Sequence, residues 1–203
     1  MPSRDFYYTI EKPAVAEFKD RGSKFIAYAF PVADISEFKS RLNEIKKEHP
    51  KATHHCFAYR IDENIFRVSD DGEPSGSAGK PILGQIDSKE LRNVLIIVVR
   101  YFGGTQLGIP GLIYAYKTSA ALSLQLTPLI QKPILHQYKL HFDYTLMNEV
   151  MRIIKIYNCA VTDQQMTLFC DMEIGIQQNN AEDCLTDLNA IYGLEVERMK
   201  AKE

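Results

Sequence analysis

The sequence predicts an α+β protein of two domains, and three observations carry that expectation. Eight of the eleven glycines fall within residues 69–116, on either side of Val94-Leu95-Ile96-Ile97-Val98-Val99, the longest purely aliphatic run in the chain. Upstream, segments of two-residue alternation frame one clear helical period at 34–49. Downstream, residues 134–199 read strand, helix, strand, strand, helix, strand, the βαββαβ order of a ferredoxin-like domain. A buried strand between loops that let backbone approach another group closely is where function concentrates.

Taken in order, residues 6–18 and 23–32 alternate as two strands, with Asp20-Arg21-Gly22-Ser23 as the turn of a hairpin. Ile35, Phe38, Leu42 and Ile45 give residues 34–49 one apolar helical face. Asp34 and Glu37 have capping-box spacing, and Pro50 marks the stop. Residues 54–61 alternate as a strand, with His55, Phe57, Tyr59 and Ile61 on one face and His54, Cys56, Ala58 and Arg60 on the other. A turn at 62–64 leads into Ile65-Phe66-Arg67-Val68.

The loop 69–81 follows, then a short helix over 77–87 with Pro81 near its first turn. Val94–Val99 reads as a central strand buried on both faces. A helix over 110–126 has Pro110 at its first position and a small-residue face of Ala115, Ser119 and Ala120. The first domain is placed at 1–130, a linker at 131–136 around Gln131-Lys132-Pro133, and the second domain at 137–203. In that second domain the expected elements are strands at 134–142, 160–164, 167–176 and 194–199, with helices at 145–157 and 180–192. Asn180 is read as a helix cap, and Ala181, Leu185, Leu188 and Tyr192 as facing inward.

Composition excludes several classes. The 203 residues carry a formal net charge of −2, so the molecule is no polycation. Residues 137–203 hold 6 Lys+Arg against 11 Asp+Glu, a charge of −5, and residues 1–136 hold 18 against 15, a charge of +3. The four cysteines, Cys56, Cys159, Cys170 and Cys184, form no C-x-x-C pair and read as buried reduced thiols. No signal peptide or membrane-length apolar run is found, so the expected compartment is the cytoplasm. No metal or cofactor is expected: His54 and His55 point to opposite faces, and His54 with Cys56 gives only two ligands.

The loop Ser69-Asp70-Asp71-Gly72-Glu73-Pro74-Ser75-Gly76-Ser77-Ala78-Gly79-Lys80-Pro81 is not a Walker A loop. Pro81 replaces the magnesium-binding hydroxyl, and Pro74 stands where the first glycine is required. NTP hydrolysis is not predicted. Helix N-terminal N–H groups bind anions, but Asp70, Asp71 and Glu73 would repel a phosphate unless they pair with Lys80 or Arg100.

Asp71-Gly72-Glu73-Pro74-Ser75-Gly76-Ser77-Ala78-Gly79-Lys80-Pro81-Ile82-Leu83 and Val98-Val99-Arg100-Tyr101-Phe102-Gly103-Gly104 resemble the YigZ/IMPACT family. So do Leu107-Gly108, Gly111-Leu112, Ala115-Tyr116, Asp20–Phe25 and His54–Arg60. The resemblance implies a first domain similar to a ribosomal-protein domain and to domain IV of elongation factor G, an α/β sandwich, followed by a ferredoxin-like domain. It also implies a link to translation: eukaryotic relatives regulate it by binding a kinase co-activator, and RNA or ribosome binding is the usual proposal for bacterial ones. The family loop commonly runs Leu-Gly-Thr-Gly-Gly-Leu followed by a basic residue. Here Pro110 removes one glycine and one N–H donor, and Tyr114, read as packed in a helix interface with stacking on a base as the alternative, replaces the basic residue.

Three functional readings follow. The first is a translation-linked regulator binding RNA or the ribosome, with candidate contacts Lys24, His54, Arg60, Arg67, Asp71, Glu73, Ser75, Ser77, Lys80, Arg100, Tyr101, Gly103 and Gly104. Lys80 and Arg100 are the foremost of these, and Tyr101 is read as exposed. The second is a regulator that docks a protein partner on its acidic second domain. The third is an enzyme on a phosphorylated or acyl small molecule, using His54, Asp70, Asp71, Glu73, Ser75 and Arg100.

Overall fold

The computed structural model describes residues 5–199. The chain forms two compact units, Tyr7–Lys132 and the residues to either side of that span.

The first unit is built on a five-stranded antiparallel sheet in the order β2-β3-β6-β4-β5. Its strands are β2 (Ala14–Asp20), β3 (Ser23–Pro31), β4 (His54–Arg60), β5 (Phe66–Ser69) and β6 (Val94–Tyr101). Helix α1 (Ile35–Glu48) covers one face, where Phe38 and Ile45 pack on Tyr28, Phe57, Tyr59, Leu95, Ile97 and Val99. Helices α2 (Gly79–Asp87) and α3 (Gly108–Gln125) cover the other, against Phe25, Ala27, Cys56, Ala58, Ile96 and Val98. Helices on both faces explain why β6 is aliphatic rather than alternating, and Val94–Val99 are all 0% exposed. Fully burying a side chain of this size contributes about 1.5–3 kcal/mol, so β6 is the energetic spine of the unit.

The predicted first strand is divided. Pro13 lacks a ladder N–H, and the chain breaks there into β1 (Phe6–Ile10) and β2. β1 pairs with β7 (Leu129–Pro133), so residues 131–133, read as linker, are part of a strand. The β2–β3 hairpin turns through Arg21 (φ 43°) and Gly22 (φ 80°), the positive-φ pair of a two-residue hairpin. Asp34 caps α1, its carboxylate accepting the Glu37 N–H at 2.9 Å while Glu37 accepts from Ala33 N. Helices α2 and α3 begin at Gly79 and Gly108, which places Pro81 and Pro110 at their third residues.

The second unit pairs β8 (Leu135–Asp143), β9 (Ala160–Met166), β10 (Phe169–Gln177) and β11 (Glu195–Arg198) in the order β11-β8-β10-β9. With α4 (Met147–Ile156) and α5 (Ala181–Asn189) this is the ferredoxin-like βαββαβ arrangement. Val150, Ile153, Ile154, Cys184 and Leu188 close the core against Leu140, Phe142, Met172, Ile174 and Ile176. The β9–β10 turn lies at Thr167-Leu168, two residues beyond its predicted place. Asn180 makes no side-chain cap. Tyr192 is 98% exposed rather than inward, because α5 stops at Asn189 and Ile191 takes the core position.

Candidate functional site

The two glycine-rich loops meet at the end of the first sheet where β6 leaves and β3 and β4 enter. Asp70-Asp71-Gly72-Glu73 is a tight turn in which Glu73 N donates to Asp70 O at 2.9 Å. Its central residues both have positive φ, Asp71 at 43° and Gly72 at 89°, as Asp-Gly favours. The turn points the Asp70 carboxylate at the start of α2, where it accepts the N–H groups of Gly76 (2.8 Å), Ala78 (3.0 Å) and Gly79 (2.8 Å). Burial alone would raise the Asp70 carboxyl, but these three N–H groups and Lys80 outweigh it and hold it below the ordinary carboxylate value. The sequence pointed to this helix end as an anion site; the protein's own carboxylate fills it.

Glu73 and Arg100 form an ion pair at 2.6 Å, with side chains only 3% and 6% exposed. Tyr116 Oη donates to the same Glu73 oxygen at 2.7 Å. Burial first, then Cys56 and Glu73, push the Tyr116 hydroxyl far above its ordinary value, so it remains a donor. Cys56 Sγ lies 3.0 Å from the Asp70 carbonyl and 3.3 Å from Tyr116 Oη, and burial pushes its thiol up. His54 Nδ1 donates to Asp71 O at 2.7 Å, which leaves Nε2 facing Glu73 Oε1 at 3.8 Å. The Arg100 guanidinium lies over the rings of Phe25 and Phe102, 5.5 and 5.6 Å from their centroids. Its Nε has no hydrogen-bond partner among the described residues.

Backbone contact joins this network to the β2–β3 turn. Gly103 N donates to Ser23 Oγ at 3.2 Å. A Cβ at Gly103 would stand 1.9 Å from the Gly22 carbonyl carbon, so no side chain fits. Phe102 N donates to Thr53 Oγ1 at 3.2 Å.

Of the sequence-predicted residues, His54, Asp71, Glu73, Arg100 and Gly103 come together here. Ser75, Ser77, Lys80 and Gly104 lie on the same loops; Ser77 is buried, its hydroxyl donating to Pro74 O at 2.6 Å, and the other three are exposed. Lys24 and Tyr101 sit side by side on the opposite sheet face. Lys24 pairs with Glu17 at 2.6 Å. Tyr101 is half-buried rather than exposed, with its hydroxyl 2.8 Å from His49 Nδ1. Arg60 is six residues further along β4, about 20 Å away at the usual strand rise, bound to Asp87 at 2.7 Å and over Phe66. Arg67 is exposed on the edge strand β5. Arg100, read as a contact for phosphate, is instead buried on Glu73. Tyr114 is not packed in a helix interface; it is 60% exposed, with only its ring edge on Phe18.

Ser23, Cys56 and Tyr116 were missed as partners. Their signal was strand and helix phase: Cys56 shares a face with His54, and Tyr116 stands beside Ala115 on a face that must meet the sheet. Among the described residues, no three His, Cys, Asp or Glu side chains converge as metal ligands. No helix among them is long and apolar enough to cross a membrane. The network's acids and bases are spent on one another, so it works as a rigid frame for the surface outside it: Ser75, Lys80, Phe102, Gly104, Ile109 and Tyr114, all exposed.

Residues 21–124, which hold this whole frame, match the Impact N-terminal domain. The chain belongs to the IMPACT family. The IMPACT family member YvyE of Bacillus subtilis is 36% identical over 146 residues, spanning 71% of this chain and 67% of that protein. An IMPACT family member of Haemophilus influenzae is 32% identical over 186 residues, 89% of this chain and 90% of that one. The two-unit fold also recurs in a crystal structure of a hypothetical protein, with TM-score 0.76, 23% identity, and 98% and 100% of the two chains covered.

Proposed function

We propose that this IMPACT family protein is a translation-linked regulator that binds RNA or the ribosome through the loop surface of its first unit. The translation link rests on family membership and on what the family resemblance implies. The observation that supports this surface is the internal use of its carboxylates. Asp70 caps α2, Asp71 accepts from His55 N at 2.7 Å, and Glu73 neutralises Arg100. What faces outward is Lys80 with the rings of Phe102 and Tyr114, 49% and 60% exposed. Exposed cationic and aromatic side chains suit single-stranded nucleic acid, where each stacked base contributes about 1–3 kcal/mol. Such a role places the protein in the cytoplasm. Titration with single-stranded RNA across a salt series tests it: affinity is expected to fall by about 0.7 log units per phosphate contact per log unit of salt. Undetectable binding at low salt, with no ribosome co-sedimentation, sinks the reading.

A second reading, a regulator that docks a basic protein, is favoured by the outer sheet face of the second unit. Glu195 and Glu197 on β11 stand opposite His141 and Lys139, and Asp171 and Glu173 on β10 stand opposite Gln165 and Asp163. This face would repel nucleic acid. Pull-down after nuclease treatment separates the readings, since a partner that disappears with the RNA counts against protein docking.

A further inference from the structure

The second unit holds two thiols that the loop network does not use. Cys159 follows α4 directly: the chain reverses through Asn158 at φ 49°, and Cys159 N donates to Ile154 O at 2.9 Å. Cys184 lies on α5 and is 0% exposed. Their sulfurs are 3.6 Å apart. A second contact braces the same two elements, Tyr157 Oη donating to Asp187 Oδ2 at 2.8 Å. A disulfide needs the sulfurs about 1.5 Å closer.

We propose that Cys159 and Cys184 form a reversible intramolecular disulfide, with a peroxide as the oxidant, that locks the end of α4 to α5. Exposure divides the roles. Cys159 is partly exposed and meets the oxidant, whereas Cys184 is sealed in the core. The contact between the two thiols holds the Cys159 thiol below its ordinary value, while that contact and burial push Cys184 up. In the first step the Cys159 thiolate attacks one peroxide oxygen. The O–O bond breaks, a sulfenic acid forms, and the departing hydroxide takes a proton to become water. In the second, Cys184 sulfur attacks Cys159 sulfur; the S–S bond forms, the S–O bond breaks, and hydroxide leaves with the Cys184 proton as a second water. Two thiols are oxidised and one peroxide is reduced.

The bond would enclose the β9–β10 hairpin and the first turn of α5. Neither Cys56 nor Cys170, buried at 0% and 1%, shares this arrangement. The test treats the full chain with hydrogen peroxide beside glutathione as a reference thiol, then maps peptides by mass spectrometry without reduction. The expected result is one crosslinked peptide pair, Cys159 to Cys184, lighter by two hydrogens and released by a thiol reductant. Cys170→Ser should retain it and Cys159→Ser abolish it. In Cys184→Ala, whose folding is checked by circular dichroism, Cys159 should be trapped as a dimedone adduct of its sulfenic acid. Recovery of Cys159 and Cys184 as separate alkylated thiols once glutathione is oxidised overturns the proposal. So does a Cys159 crosslink to a second chain, or Cys184→Ala without the adduct.

Discussion

Replacing Glu73 by Gln keeps the shape of the side chain and one acceptor oxygen but removes the charge that balances Arg100. The guanidinium cannot turn to another anion. Among the described residues its Nη2 reaches only Ser23 Oγ at 3.4 Å and its Nε has no partner, and the side chain is 6% exposed. Leaving one member of a buried pair uncompensated costs about 3–5 kcal/mol. With a urea dependence of about 2 kcal/mol/M, the midpoint of the first unit's unfolding should fall by about 2 M. Far-UV circular dichroism in urea on the full chain reads this, with hydrogen exchange assigning the transition to Tyr7–Lys132. The companion variant Glu73→Gln/Arg100→Met removes both charges and should recover part of the loss, since apolar replacement of a buried pair is often neutral or better. A Glu73→Gln loss below about 1 kcal/mol, or a double variant no more stable than the single, would refute the view that Glu73 exists to hold a buried Arg100.

Gly103→Ala pushes backbone against backbone at Gly22, and we expect the upper end of overpacking costs, about 3 kcal/mol or more, as a lowered melting temperature. Asp70→Ala exposes the start of α2 and should cost about 1–2 kcal/mol at neutral pH. Because the folded Asp70 carboxyl lies below its unfolded value, its contribution is complete above about pH 4 and is lost as pH falls through the folded value. Acid unfolding of Asp70→Ala should therefore lack that increment; an unchanged acid titration curve would argue against the cap. Lys80→Ala should reduce the salt slope of RNA binding by about 0.7 to 0.9, whereas Phe102→Ala should weaken binding and leave the slope alone.

The order of the second unit was legible because Pro, Gly and Asn punctuate its periodic segments. The one displaced turn falls in Gln164-Gln165-Met166-Thr167-Leu168, where no such residue marks the reversal. Tyr192 misled because helical spacing was extended past Asn189, where the chain leaves the helix and Gly193 takes φ 88°. In the first unit the hairpin, α1 and β6 followed from local pattern alone. The site did not. Strand phase alone places Arg100 with Val98 and Ile96 on the α2–α3 face and Tyr101 on the α1 face, yet the sequence reading makes Arg100 a foremost contact candidate, with pairing to Asp70, Asp71 or Glu73 as the condition for anion binding. Its partner Glu73 is 27 residues away in sequence, brought close only by sheet pairing, so no spacing rule announces it. Asp70 shows the same gap: a carboxylate that looked repulsive to an anion is the anion.

The central claim is that a frame whose charges are paired internally presents Lys80 and Phe102 to RNA or the ribosome. Co-sedimentation of the wild-type chain and of Lys80→Ala/Phe102→Ala with ribosomes at low salt, after circular dichroism confirms that both are folded, tests it most directly. The account predicts that the wild type pellets with ribosomes, that added salt releases it, and that the double variant stays in the supernatant. Equal pelleting of both proteins, or none of either, would contradict it.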